Sequence, residues 1–228
     1  MMRDEASRPA ESMNFEQARF NMIEQQIRPW EVLDERVLDL FMAIHREDFV
    51  PPTSRQLAFS DICLPIGHGE TMMSPKVEGR LLQSLQIHPT DRILEIGTGS
   101  GYLTALLARS GSQVVSVDIH ADFTRAAGAR LENAGFRNVR LETGDAVSGW
   151  GDDQYDAIAV TGSLPELQGR FQRQLRPGGR LFVILGTEPI MEACLITRRG
   201  DKAWSTESLF ETSIAPLIGA EPGPRFVF

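Results

Sequence analysis

The chain has 228 residues, 42% of them hydrophobic and 24% charged, which is enough for one sizeable core or one core with a small appended lobe. A formal net charge of −8, with Lys and Arg scattered along the chain, argues against a nucleic-acid partner held mainly through its phosphates. No run reaches the ~18 apolar residues of a spanning helix, and MMRDEASRPAESM lacks the apolar core of a signal peptide, so a cytoplasmic protein with no membrane partner is expected.

In chain order, residues 1–13 read as a flexible tail, 14–75 as a helical lobe with a loop, and 76–228 as an α/β unit that forms one compact body with the lobe. A helix is expected over Asn14 to Arg28, and a second over LDERVLDLFMAI, with Asp34 as N-cap and Val37, Leu40, Phe41 and Ile44 on one face. Pro51 and Pro52 end that region, and LPIGHGETMM reads as a loop. Ser74 and Pro75 then read as the N-cap and first position of a third helix, with Val77, Leu81 and Leu85 on its apolar face.

From Asp91 the rhythm becomes strand and helix in alternation: RILEIG, YLTALLARS, QVVSVD, a helix to Asn133, NVRLETGD, YDAIAV, a helix across PELQGRFQRQL, and GRLFVILG after the turn RPGG. Nearly continuous apolar strands between amphipathic helices imply a parallel sheet covered on both faces, a doubly wound α/β fold. The tail MEACLITRRGDKAWSTESLFETSIAPL offers two strands about Arg199-Gly200-Asp201, an antiparallel hairpin completing the sheet. Cys63 and Cys194 lie in apolar stretches without metal-ligand spacing and read as buried thiols. His68 reads as a solvated loop residue between two glycines, and His120 as a turn residue with no partner pattern.

Between the first strand of the α/β unit and its helix, LEIGTGSGYLTALLA places Gly97, Gly99 and Gly101, with Thr98 and Ser100 between them. Glycine there lets a ligand approach the backbone at the carboxyl end of a parallel strand. The spacing is GxGxG, which disfavours a pyrophosphate, and Glu95 adds a carboxylate that would repel a diphosphate and welcome a cationic amino acid moiety. Asp118, followed by Ile119, ends the next strand where an acid can accept from both hydroxyls of a ribose. Gly144, Asp145 and Ala146 end the third, with Asp145 set against an adenine amino group, and Thr161 at the end of the fourth is a candidate wall residue. Together these fit S-adenosyl-L-methionine as cofactor; no metal site is expected.

LPIGHGETMMSP, LEIGTGSGYLTALLA, GD, YDAIAVTGS and LRPGGRL occur in an order and spacing that resemble the protein-L-isoaspartate O-methyltransferases, and DERVLDLFMAIHREDFVP resembles their N-terminal helical segment. The resemblance covers about residues 20–187 and, more weakly, the hairpin with APL. It implies a mainly parallel, seven-stranded, Rossmann-like methyltransferase sheet and an enzyme that methylates the carboxylate of isoaspartyl or D-aspartyl residues in damaged proteins for their repair.

The resemblance also places the acceptor. In that family a Thr-Ile-Ser triplet presents a serine hydroxyl beside the acceptor carboxylate; here Thr71 keeps the threonine, Met72 replaces the isoleucine and Met73 stands at the serine position. A thioether donates no hydrogen bond. Thr71, Met73 and Ser74 are the candidate catalytic residues, with Thr71 and Met72 also facing the cofactor, although Ser74 is expected to spend its hydroxyl on the helix N-terminus. Ser213 stands where the family often has an arginine. Two alternatives stay open: a different, less anionic acceptor such as a small molecule or another protein side chain, and a cofactor-binding module without transferase activity.

Overall fold

The structure, a computed structural model, describes residues 13–220; the expected tail, Met13 apart, lies outside the described residues. Helix α1 (Phe15–Met22) is capped by Asn14, whose Oδ1 accepts from Gln17 N at 3.1 Å. The single helix expected to Arg28 instead widens into a π turn over Ile23–Ile27 and tightens into a 3-10 turn over Arg28–Trp30. Pro29 accounts for the change, because it lacks an N–H and its ring would strike the carbonyl four residues back in a regular helix. Helix α2 (Glu35–Ala43) has its expected N-cap, Asp34 Oδ1 accepting from Arg36 N at 2.9 Å.

The stretch expected as a loop is a hairpin, β1 (Leu64–Gly67) paired antiparallel with β2 (Glu70–Met72). Its turn is left-handed, with φ of +119°, +53° and +82° at Gly67, His68 and Gly69. Strands of three and four residues are too short to announce themselves by alternation. Helix α3 (Pro75–Leu85) follows and buries Val77, Leu81 and Leu85 as expected.

The remaining elements are β3 (Arg92–Ile96), α4 (Tyr102–Ser110), β4 (Gln113–Asp118), α5 (Ala121–Asn133), β5 (Val139–Thr143), β6 (Tyr155–Leu164), α6 (Gly169–Arg173), β7 (Leu175–Thr187), β8 (Ile190–Gly200) and β9 (Ala203–Thr212). The sheet runs β5-β4-β3-β6-β7-β8-β9, parallel through β7 and antiparallel beyond it. Because β3 lies between β4 and β6, the winding reverses there, and ligands of such sheets bind at the carboxyl ends of those strands.

Two expectations are corrected in the second half. The helix across PELQGRFQRQL shrinks to α6, which starts at Gly169, a poor helix-interior residue. RPGG is no separate turn. It lies inside β7 as a bulge, where the register jumps from Tyr155–Leu175 to Ala157–Arg180 and Gly178 takes φ +79°.

Alternate strand residues feed opposite layers. Ile93, Val114, Phe182 and Ile184 pack with Phe41, Val77, Leu81 and Tyr102, so the N-terminal helices share a core with the sheet, while Leu94, Val115, Leu181 and Val183 pack with Phe171 on the other face. Cys194 is buried as expected, but Cys63 is exposed, because it precedes β1 at the mouth of the cleft described below. Among the described residues no helix is long and apolar enough to cross a membrane.

Candidate active site

A cleft of about 1000 Å³, open solvent at its mouth included, lies at the carboxyl ends of β3, β4 and β6. Its floor is the glycine loop. Gly97, Gly99 and Gly101 all have left-handed φ, at +95°, +50° and +86°. A Cβ on Gly97 would overlap Thr161 Oγ1, one on Gly99 would come within 3.0 Å of Ile66 in the hairpin, and one on Gly101 within 2.9 Å of Ala127. The loop therefore needs glycine twice over, for its backbone angles and for lack of room. Thr161, in the cleft wall, pins the loop by donating to Ile96 O at 2.8 Å.

Asp118 is buried in the wall, and each of its oxygens has one backbone donor: Gly99 N on Oδ2 at 2.8 Å and His120 N on Oδ1 at 2.9 Å. An ionised carboxylate offers about four lone-pair sites, so acceptor capacity remains for hydroxyls of a ligand. Ile119, an exposed apolar residue, adjoins it in the wall. Gly144 lies flat against the Trp150 ring, which is fixed by Nε1 donating to Glu142 Oε2 at 2.6 Å. Asp145 is exposed at the wall and accepts from Val147 N at 3.0 Å, beside buried Ala146.

Glu95 is elsewhere than expected. It is wholly buried beneath the loop and is not among the residues lining the cleft. Its Oε2 accepts from Thr104 Oγ1 and Ser116 Oγ, both at 2.6 Å, with Thr98 Oγ1 2.6 Å from Ser116 Oγ; its Oε1 has no partner among the described residues. Burial pushes its pKa up to about 8. A carboxyl so placed braces the floor and does not present charge to a ligand. Thr98 and Ser100 belong to the wall although both are buried, Ser100 Oγ accepting from Tyr102 N at 3.2 Å.

The hairpin brings exposed Thr71 and buried Met72 and Met73 into the cleft. Ser74 stands at the N-cap of α3, but the bonding expected of its hydroxyl is made by its carbonyl, which accepts from Val77 N and Glu78 N at 3.1 and 3.2 Å. Ser74 is buried and does not line the cleft.

Sequence reasoning missed the groups behind Met73. Arg46, without solvent contact, donates through Nη2 to Met73 O at 2.7 Å, pairs through Nη1 with Glu78, and lies 4.9 Å over the Tyr102 ring. Glu78 lines the cleft, and burial lifts its pKa to about 7 against the pull of Arg46. Arg46 and Glu78 are far apart in sequence, so no local pattern announces the pair. The wall holds Glu70, Glu78, Asp118 and Asp145 and, among the described residues, no Lys or Arg.

The far wall is the segment after β9, from Ile214 to Ile218. Ser163 at the end of β6 holds it by donating from N to Ala215 O and accepting on O from Leu217 N, each at 3.0 Å. Ser213 is exposed and donates to Glu188 Oε1 at 3.2 Å. His120, expected to lack partners, lines the cleft with its ring stacked on that of His68 at 4.0 Å, and His68 Nε2 lies 2.8 Å from Asp122 Oδ2.

Comparison with known proteins places this geometry among relatives. The family model for protein-L-isoaspartate(D-aspartate) O-methyltransferase matches residues 17–222. A protein-L-isoaspartate O-methyltransferase of Petrotoga mobilis is 34% identical over 209 residues, covering 91% of this chain and 98% of its own. A second, of Pelobacter propionicus, is 37% identical over 210 residues, covering 91% and 93%. A solved protein-L-isoaspartate O-methyltransferase, 26% identical, superposes with a TM-score of 0.74 over 87% of this chain and 65% of its own. A Plasmodium falciparum chain crystallised with S-adenosyl-L-homocysteine shares the fold, with a TM-score of 0.73 at 18% identity over 90% and 99%.

Proposed function

Since the chain belongs to the protein-L-isoaspartate(D-aspartate) O-methyltransferase family, we propose that it is an S-adenosyl-L-methionine-dependent methyltransferase acting on the carboxylate of isoaspartyl residues in proteins or peptides. The observation that carries this reading is the anchored Asp118 beside a glycine loop with no room for a Cβ. The residues present fit the cofactor. Asp118 has acceptor capacity for ribose hydroxyls, Asp145 has a second oxygen, unbonded among the described residues, for an adenine amino group, and Ile119 gives an apolar contact.

When bound, the cofactor supplies a sulfonium methyl group for in-line transfer to a carboxylate oxygen. An isoaspartyl carboxylate is ionised at neutral pH, so the chain need not remove a proton; its task is alignment and exclusion of water. Met72, Met73, Ile214 and Leu217 give the cleft the apolar cover that task requires. We assign Thr71 the remaining side-chain donor at the hairpin and Met73 an apolar contact with the acceptor; Ser74, off the cleft wall, supports the turn. We also assign the protein to the cytoplasm and treat 14–75 with 76–228 as one unit.

A second reading has one specific observation in its favour. Four acidic residues and, among the described residues, no Lys or Arg in the wall, with methionine at the serine position, suit a less anionic acceptor of the same methyl group. Isoaspartyl-peptide methylation by the parent and by Met73→Ser, with S-adenosyl-L-homocysteine binding measured beside it, separates the two. Methylation by the parent supports the isoaspartyl acceptor, and methylation by Met73→Ser alone supports a different acceptor for the parent. Cofactor binding without methylation in both transfers the assignment to another acceptor, or to a module without transferase activity if labelled cofactor modifies nothing in a lysate.

A further inference from the structure

We propose that His68, His120 and Asp122 form a divalent transition-metal site that clamps the β1–β2 hairpin to the start of α5 at the rim of the cleft. One donor atom from each of the three lies within 4.8 Å of the others. The two imidazoles come from segments about 50 residues apart in sequence, yet their rings stack at 4.0 Å with only 10° between planes, and Phe123 closes edge-on against both at 5.2 Å.

Three features point to a ligand rather than to a chance contact. Among the described residues, His120 Nε2 is buried and has no hydrogen-bond partner, a state that is costly unless something binds there. His68 is held at φ +53° between two left-handed glycines, a conformation that non-glycine residues rarely adopt, and its ring meets those of His120 and Phe123. His68 Nε2 already lies 2.8 Å from Asp122 Oδ2, so an acidic side chain stands beside the two imidazoles.

Ligand chemistry selects the ion. Two imidazoles and one carboxylate suit Zn²⁺, Co²⁺, Ni²⁺ or Cu²⁺, whereas Mg²⁺ and Ca²⁺ take oxygen ligands. Metal–ligand bonds of about 2.0–2.1 Å in a tetrahedral shell bring donors to roughly 3.3 Å from one another. His68 and Asp122 are exposed side chains that can rotate to close that gap. Three protein donors leave the fourth position to water or to a cleft ligand, since His120 is in the cleft wall. The clamp would join the hairpin that carries Thr71 to Met73 to the turn that carries Asp118.

The test is a titration of the chelator-stripped chain with Co²⁺ and Zn²⁺ in a Cys63→Ser background, because an exposed thiol such as Cys63 in the same cleft is a competing ligand type for these ions. The site predicts one Co²⁺ per chain with visible absorption, a Kd of about 10 μM or tighter, and at least about tenfold weaker binding in each of His68→Gln, His120→Ala and Asp122→Asn. Zn²⁺ should raise the Tm of the parent by several degrees and that of His68→Gln by less. A parent Kd weaker than about 10 μM, or less than about tenfold loss in His68→Gln and Asp122→Asn, overturns the proposal. Those two surface variants keep the test valid should His120→Ala fail to fold.

Discussion

Arg46 and Glu78 form a buried ion pair directly behind the Met73 carbonyl, with side-chain exposures of 0% and 3%. The pair fixes where Met73 sits, and Glu78 depends on Arg46 for its charge, since burial lifts its carboxyl pKa to about 7 against the pull of that guanidinium. Arg46→Met should destabilise the protein by about 3–5 kcal/mol, because it leaves a buried carboxylate without its counter-charge. The double variant Arg46→Met with Glu78→Leu should recover most of that loss. Urea unfolding of the three proteins checks it; a double variant no better than the single would place the damage in the Met73 contact instead.

Glu95 sets a pH dependence. Its pKa rises from an ordinary 4.5 to about 8 on folding, so between those values the native state holds a proton that the unfolded chain releases. The stabilisation is complete below about pH 4.5 and is lost as pH rises through about 8. Glu95→Gln, which can still accept from Thr104 and Ser116, should gain on the parent by a few kcal/mol between pH 5 and pH 9. Unfolding midpoints of both proteins across that range decide it, and parallel curves would show that Glu95 is ionised in the fold.

Asp118 has two tasks that substitution can separate. Asp118→Asn retains one acceptor oxygen for Gly99 N or His120 N, whereas Asp118→Ala retains neither. S-adenosyl-L-homocysteine affinity should fall about tenfold in the first and about a hundredfold in the second, or roughly 1.4 and 2.7 kcal/mol. Calorimetry reads both, and unchanged affinity in Asp118→Ala would remove Asp118 from the ligand site.

Gly97 and Thr161 should show compensation. Gly97→Ala sets a methyl against Thr161 Oγ1 at φ +95°, so cofactor affinity should drop more than tenfold. Thr161→Ala alone should cost less, about 1 kcal/mol for the lost bond to Ile96 O. Combining them should restore part of the Gly97→Ala loss, since the collision goes and the backbone strain stays; strict additivity would count against the collision as cause.

The strand and helix rhythm from Asp91, the glycine loop, Asp118 and the closing hairpin were legible in the sequence because each rests on local spacing. Other features were hidden for definite reasons. The β1–β2 hairpin is too short for alternation to mark. Glu95 is adjacent to the glycine loop, which invited a ligand role, yet the inward phase of β3 sends its carboxyl under the loop to Thr104 and Ser116. The Arg46–Glu78 pair and the His68–His120 stack join residues 32 and 52 positions apart, and only folding brings them together.

The bonds from Ser163 to Ala215 and Leu217 make the cleft's last wall out of residues that follow β9. During synthesis on the ribosome, the β1–β2 hairpin, the glycine loop and Asp118 emerge early, but the last wall is laid only after residue 218 has left the exit tunnel. A nascent chain therefore carries the cleft open on that side, and ligand binding can stabilise it in full by mass action once that segment is in place. Cofactor in the cell would then protect finished molecules and leave arrested fragments to proteolysis.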